Sequence, residues 1–119
     1  MSLIRLGLAA GAALALANCS AARQADRDAA ALRADGRAIA QAQCASCHAI
    51  GLDDQSAAPE APVFRHILAR YSDAALSEEL INGIQVAHPM PAFQFNPQGA
   101  DALIAYMRSI QTPEIEETR

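Results

Sequence analysis

Five consecutive residues, Cys44-Ala45-Ser46-Cys47-His48, constrain this chain more than any other part of it. Two thiols three residues apart on a helical turn point to the same side. Each can therefore add to one of the two vinyl groups on a single porphyrin edge, and the imidazole that follows reaches beneath the iron as its proximal ligand. C-x-x-C-H is the attachment pattern of c-type haem. Three other readings compete with it. A zinc site needs four ligands, and the remaining donors, Cys19, His66 and His88, supply no second C-x-x-C or H-x-x-x-H pair. A thioredoxin-like redox pair needs a βαβ setting, and no such pattern is visible. A plain disulfide between the two cysteines is the third.

The core that the rest of the chain can build is thin. Hydrophobic residues make up 52% of the 119, but much of that is alanine, and the aromatics are two Tyr and three Phe with no Trp. One small domain is all this length allows. At this size apolar burial and the entropy of ordering nearly cancel, so a non-protein group is expected to complete the core, and the haem-free chain is expected to be largely unfolded. With nine Arg, no Lys and thirteen acids, the net charge is minus four. That balance lacks the basic footprint of a nucleic-acid binder.

Arg5 precedes an apolar, uncharged run over residues 6–17 that ends in small side chains, which is the layout of a secretory signal. Twelve residues at about 1.5 Å each fall short of a bilayer core of ~30 Å, which disfavours a permanent span. The run is apolar on every face, which disfavours a buried amphipathic helix. Leu16-Ala17-Asn18-Cys19 resembles a bacterial lipobox, with Asn18 where Gly, Ala or Ser is usual. Cleavage before Cys19 would leave a lipidated cysteine that anchors the protein to a membrane without spanning it. Cleavage after Ala17 or Ala22 by the ordinary signal peptidase is the alternative. Either lipidation or cleavage after Ala22 would remove the odd thiol from an oxidising compartment.

Residues 1–18 therefore read as a signal peptide, 19–29 as a linker, 30–112 as the folded domain and 113–119 as a solvated tail. Leu32, Gly36, Ile39 with Ala40, Gln43 and Cys47 recur on one face of a helix that runs into the cysteine motif. Residues 51–61 are polar and acidic and read as a loop. Pro62 suits the first position of a short helix whose Phe64, Ile67, Leu68 and Tyr71 form a stripe. Ser72 or Asp73 caps the next helix, which turns Leu76, Leu80 and Ile81 inward and stops at Asn82-Gly83. An irregular loop over residues 84–96 precedes a final helix that is capped by Asn96-Pro97, presents Leu103, Tyr106, Met107 and Ile110, and ends before Pro113. No strand alternation of useful length exists, so the fold class is all-α.

Pro89-Met90-Pro91 is the second informative element. The flanking prolines fix φ and disfavour a helix, presenting the Met90 thioether from a stiff loop. Paired with histidine on haem iron, a thioether raises the reduction potential. A lone Met is ordinarily core filler, the role assigned to Met107. His88 is the other candidate sixth ligand and would give bis-histidine coordination. His66 lies off the apolar stripe of its helix and reads as a surface residue.

With the haem motif near its start, a methionine on a late loop and a closing helix, the chain resembles a class I cytochrome c over roughly residues 30 to 111. The resemblance implies one covalent haem c, His48 and Met90 as axial ligands, and N- and C-terminal helices that cross at Gly36, eight residues before the first haem cysteine, against Tyr106. Ala40 stands where an aromatic is often found. The resemblance also implies that the carbonyl of Pro62 accepts a hydrogen bond from the non-ligating nitrogen of His48, which fixes the tautomer. It places Phe93 and Phe95 against the haem.

The function this implies is electron transfer in the bacterial periplasm, with redox proteins as donors and acceptors and no substrate bond broken. Residues 19–119 carry eight Arg against thirteen acids, which favours partners with basic faces. The rivals are a subunit of a larger oxidoreductase, a haem peroxidase and a ligand sensor.

Overall fold

The computed structural model describes residues 3–84, 90, 91 and 93–112, with side chains from residue 20 onward. Among the described residues four helices follow one another: α1 (Leu3–Gln43), α2 (Phe64–Arg70), α3 (Asp73–Asn82) and α4 (Pro97–Ser109). No strand occurs among the described residues, in keeping with the all-α expectation. The chain divides into two compact units, Met1–Ala31 and Leu32–Arg119.

The first unit is helical, and the side chains of its residues 20–31 are exposed. The stretch read as a linker is thus part of a helix. Its Ala and Arg content explains this, since both are strong helix formers. No helix among the described residues is long and apolar enough to cross a membrane. The side chain of Cys19, the segment holding His88 and the tail 113–119 lie outside the described residues.

The second unit holds the core, in which Ala40, Cys44, Phe64, Ile67, Leu80, Leu103, Tyr106, Met107 and Ile110 cluster. The inner face expected of α4 is the one observed: Leu103 is 1% exposed and Met107 3%. Among the described side-chain positions of α1, Gly36 and Ala40 are buried, with Cys44 just past the helix end, whereas Leu32 and Gln43 are exposed. The fully buried positions are thus an i, i+4 row of small residues, Ile39 packs half-buried against the core as expected, and the places given to Leu32 and Gln43 on the inner face are corrected. Small residues win because α4 lies directly on that row. A Cβ on Gly36 would stand 1.9 Å from the Ala102 carbonyl oxygen and 2.8 Å from the Tyr106 Cβ. Only glycine admits so close a backbone approach.

The caps follow the sequence. Ser72 Oγ accepts the Ala75 N–H at 3.2 Å, and Asn96 Oδ1 accepts the Gly99 N–H at 2.7 Å with Pro97 in the first turn. Gly83 ends α3 at φ 101°, where a side chain would be strained. Two expectations fail on α2. Pro62 precedes the helix instead of opening it, because α2 starts at Phe64 and the Phe64 N–H goes to the Ala49 carbonyl. Tyr71, assigned to the inner stripe, is the C-cap and 51% exposed.

Candidate cofactor site

The cysteine motif is a tight turn hung from the end of α1. Cys44 and Ala45 donate their N–H groups to the Ala40 carbonyl, and Cys47 and His48 donate to the Cys44 carbonyl, all within 3.1 Å. Winding the chain back on itself gathers both thiols and the imidazole in one place. Cys44 is buried and Cys47 half-buried, both as thiols. Burial pushes the Cys44 thiol up from 9.0 to about 11. A dithiol redox centre depends on a lowered thiol pKa, so the shift runs opposite to what the thioredoxin-like reading needs.

His48 is 8% exposed, and its Nδ1 lies 2.8 Å from the Pro62 carbonyl oxygen. A carbonyl only accepts, so Nδ1 carries the proton and donates. The pairing that the resemblance implied is present in the geometry. The ring also packs against Phe64, centroid to centroid 5.4 Å at 53°.

The three residues after His48 are held at nearly every backbone polar group. Ala49 N–H donates to Ser56 Oγ and its carbonyl accepts from Phe64 N–H. Ile50 and Gly51 N–H groups donate to the Asp54 carboxylate. The Ile50 carbonyl accepts the Tyr106 hydroxyl at 2.7 Å, and Arg65 reaches the Asp54 carbonyl at 2.9 Å. At the end of α4, Gln111 donates to the Phe64 and Met107 carbonyls and accepts the Leu68 N–H, tying α2 down. Asp54, Arg65 and Gln111 were missed by sequence reasoning. Asp54 carried a weak signal as a turn-forming Asp in Gly51-Leu52-Asp53-Asp54. Gln111, a polar residue just past a helix, carried none.

Cys44, Cys47, His48, Met90 and Phe93 line a single cleft. The Pro-flanked methionine is thus brought to the cysteine motif across more than forty residues of chain. Phe93 packs on Phe95 at 6.1 Å, and the Phe95 N–H is anchored on the Leu80 carbonyl. Met107 is a core residue, as expected. His66 lies apart, in a groove with Val63, Ile67 and Tyr71, and is half-buried where the sequence suggested a surface position. Among the described residues no group of three or more His, Cys, Asp or Glu could hold a metal ion. The donor set at the cleft, two thiols, an imidazole oriented through Nδ1 and a thioether, fits a haem.

The family model of cytochrome c matches residues 33–111. The chain belongs to the cytochrome c family. A protein of Synechocystis sp. described as cytochrome c-553-like is 34% identical over 75 residues, covering 63% of this chain and 66% of that relative. The chain thus spans just under two thirds of the relative's length. No solved structure matches it significantly. As a cytochrome c, the chain holds one haem c covalently, with Cys44 and Cys47 in the C-x-x-C-H positions.

Proposed function

We propose that this cytochrome is an exported electron carrier, and not an enzyme, with His48 and Met90 as the axial ligands of its haem iron. When bound, the haem supplies a one-electron Fe(III)/Fe(II) couple. The observation that carries the reading is that His48 and Met90 line one cleft together with both attachment cysteines. His48 presents Nε2 to the iron because its Nδ1 proton is committed to the Pro62 carbonyl, and that bond raises the basicity of the ligating nitrogen. Met90 supplies a soft sulfur that favours Fe(II). Pro91 stiffens the backbone next to it, which holds the ligand in place. Phe93, half-buried at the same cleft, packs on the haem and keeps water away from it.

Redox proteins are the donors and acceptors in this reading. Residues 1–18 act as the export signal to the periplasm, 30–112 form the working domain, and a lipid on Cys19 holds it at a membrane. Met90→Ala tests the ligand assignment. It is expected to abolish the far-red sulfur-to-iron band of the oxidised protein and to lower the potential. An unchanged spectrum would move the sixth ligand elsewhere.

A further inference from the structure

Two contacts of the His48 ring come from one short stretch of chain. The Pro62 carbonyl oxygen takes the Nδ1 proton at 2.8 Å, and the Phe64 ring lies against the imidazole at 5.4 Å and 53°. A hydrogen bond at a single atom leaves the ring free to tilt about it. A packed aromatic neighbour, itself 3% exposed, opposes that tilt. The aim of the imidazole therefore depends on where residues 62–64 are held.

On one side that stretch is tied to the motif itself, because the Phe64 N–H donates to the Ala49 carbonyl at 2.9 Å. The other tie comes from the end of α4. Gln111 donates Nε2 to the Phe64 carbonyl at 2.8 Å and to the Met107 carbonyl at 2.9 Å, while its Oε1 accepts the Leu68 N–H at 3.2 Å. The Phe64 carbonyl and the Leu68 N–H are the pair that one i, i+4 rung of α2 would join, so a side-chain amide grips both halves of that rung. Its orientation is fixed: turned over, it would set Oε1 against two carbonyl oxygens and Nε2 against an N–H. The next residue adds a backbone tie, from the Thr112 N–H to the Arg65 carbonyl at 3.1 Å.

We propose that Gln111 is a positioning residue for the haem: by holding the Phe64 carbonyl to the end of α4, it sets the plane of the His48 ring and the strength of its bond to Pro62. The inference rests on the reading of His48 as an axial ligand. At seven residues, α2 is too short to keep its place by its own helical bonds. It takes that place from α4 through the amide. With the amide gone, residues 62–64 shift and the Nδ1 bond to Pro62 lengthens. The ligating nitrogen then becomes less basic, which favours Fe(II).

Proton NMR of the haem-loaded protein tests this, because the haem methyl shifts of the oxidised state follow the planes of the axial ligands. Gln111→Leu removes all three bonds of the amide. It is expected to change the order or spread of the methyl resonances, to speed solvent exchange of the His48 Nδ1 proton in the reduced state by about tenfold, and to raise the reduction potential. Ser72→Ala, which removes the cap of α3, is expected to lower the melting temperature and leave all three readouts at their parent values. A Gln111→Leu protein that melts earlier with methyl pattern, exchange rate and potential unchanged has lost a structural bond only, and overturns the proposal. Phe64→Leu keeps the carbonyl that Gln111 holds and removes the ring, so it too is expected to move the methyl pattern; it decides the matter should Gln111→Leu fail to load haem. An unchanged pattern in Phe64→Leu would also overturn the proposal. If the His48 resonances of the parent stay in place when the iron changes oxidation state, the axial-ligand reading itself is refuted instead.

Discussion

Gly36→Ala tests the helix crossing on which the whole domain depends. The added Cβ would lie 1.9 Å from the Ala102 carbonyl oxygen, against the 3.4 Å or more of ordinary contact. The obstacle is backbone on the facing helix, so no rotamer change relieves it. α1 and α4 have to part by about 1.5 Å, a gap that already forfeits much of the dispersion attraction across the seam. Overpacking costs about 1–3 kcal/mol, and the parted helices also loosen Ala40 and Leu103, both within 1% of full burial. Alanine's helix propensity returns about 1 kcal/mol. The net loss is about 1–2 kcal/mol, which lowers the melting temperature by roughly 5–15 °C in a domain of this size. Thermal unfolding of the holoprotein, followed by circular dichroism in the haem band, measures it. A melting temperature equal to or above that of the parent would refute the close crossing.

Tyr106→Phe removes the hydroxyl that the Ile50 carbonyl accepts. It is expected to lower the denaturant midpoint by the equivalent of about 1–2 kcal/mol without changing the slope; an unmoved midpoint would show that water replaces the bond at no cost. Haem removal tests the thin core. A chain made without haem attachment is expected to give no cooperative thermal transition, because Met90 and Phe93 then face an empty cleft and most of α1's buried row is glycine and alanine. A sharp calorimetric transition in that protein would contradict it.

What was legible in the sequence was chemistry with short-range grammar. The C-x-x-C-H motif acts within one helical turn, so five residues were enough to identify a haem attachment site. Caps are equally local: Ser72, Gly83 and Asn96-Pro97 act on backbone groups within three or four residues of themselves. The inner face of α4 was readable because one strong 3.6-residue stripe served one packing surface. Pairings set by distant chain were not readable from pattern. Leu32 and Gln43 were misplaced on the inner face of α1 because burial there follows from contact with α4, not from periodicity. Pro62 looked like a helix opener until Ala49, thirteen positions earlier, claimed the Phe64 N–H.

The residues alone determined that a haem is bound, through which thiols, and by a chain too lean in large side chains to fold well without it. The resemblance carried by its motifs implied how the histidine is aimed and that the end helices cross at Gly36; only the tertiary structure decided which other positions of α1 are buried, and that Asp54, Arg65 and Gln111 secure the segments on either side of the histidine. The physical reason is reach: a covalent motif or a cap is complete within one turn, whereas a hydrogen bond from Gln111 to Phe64 exists only after folding has brought together segments 47 residues apart.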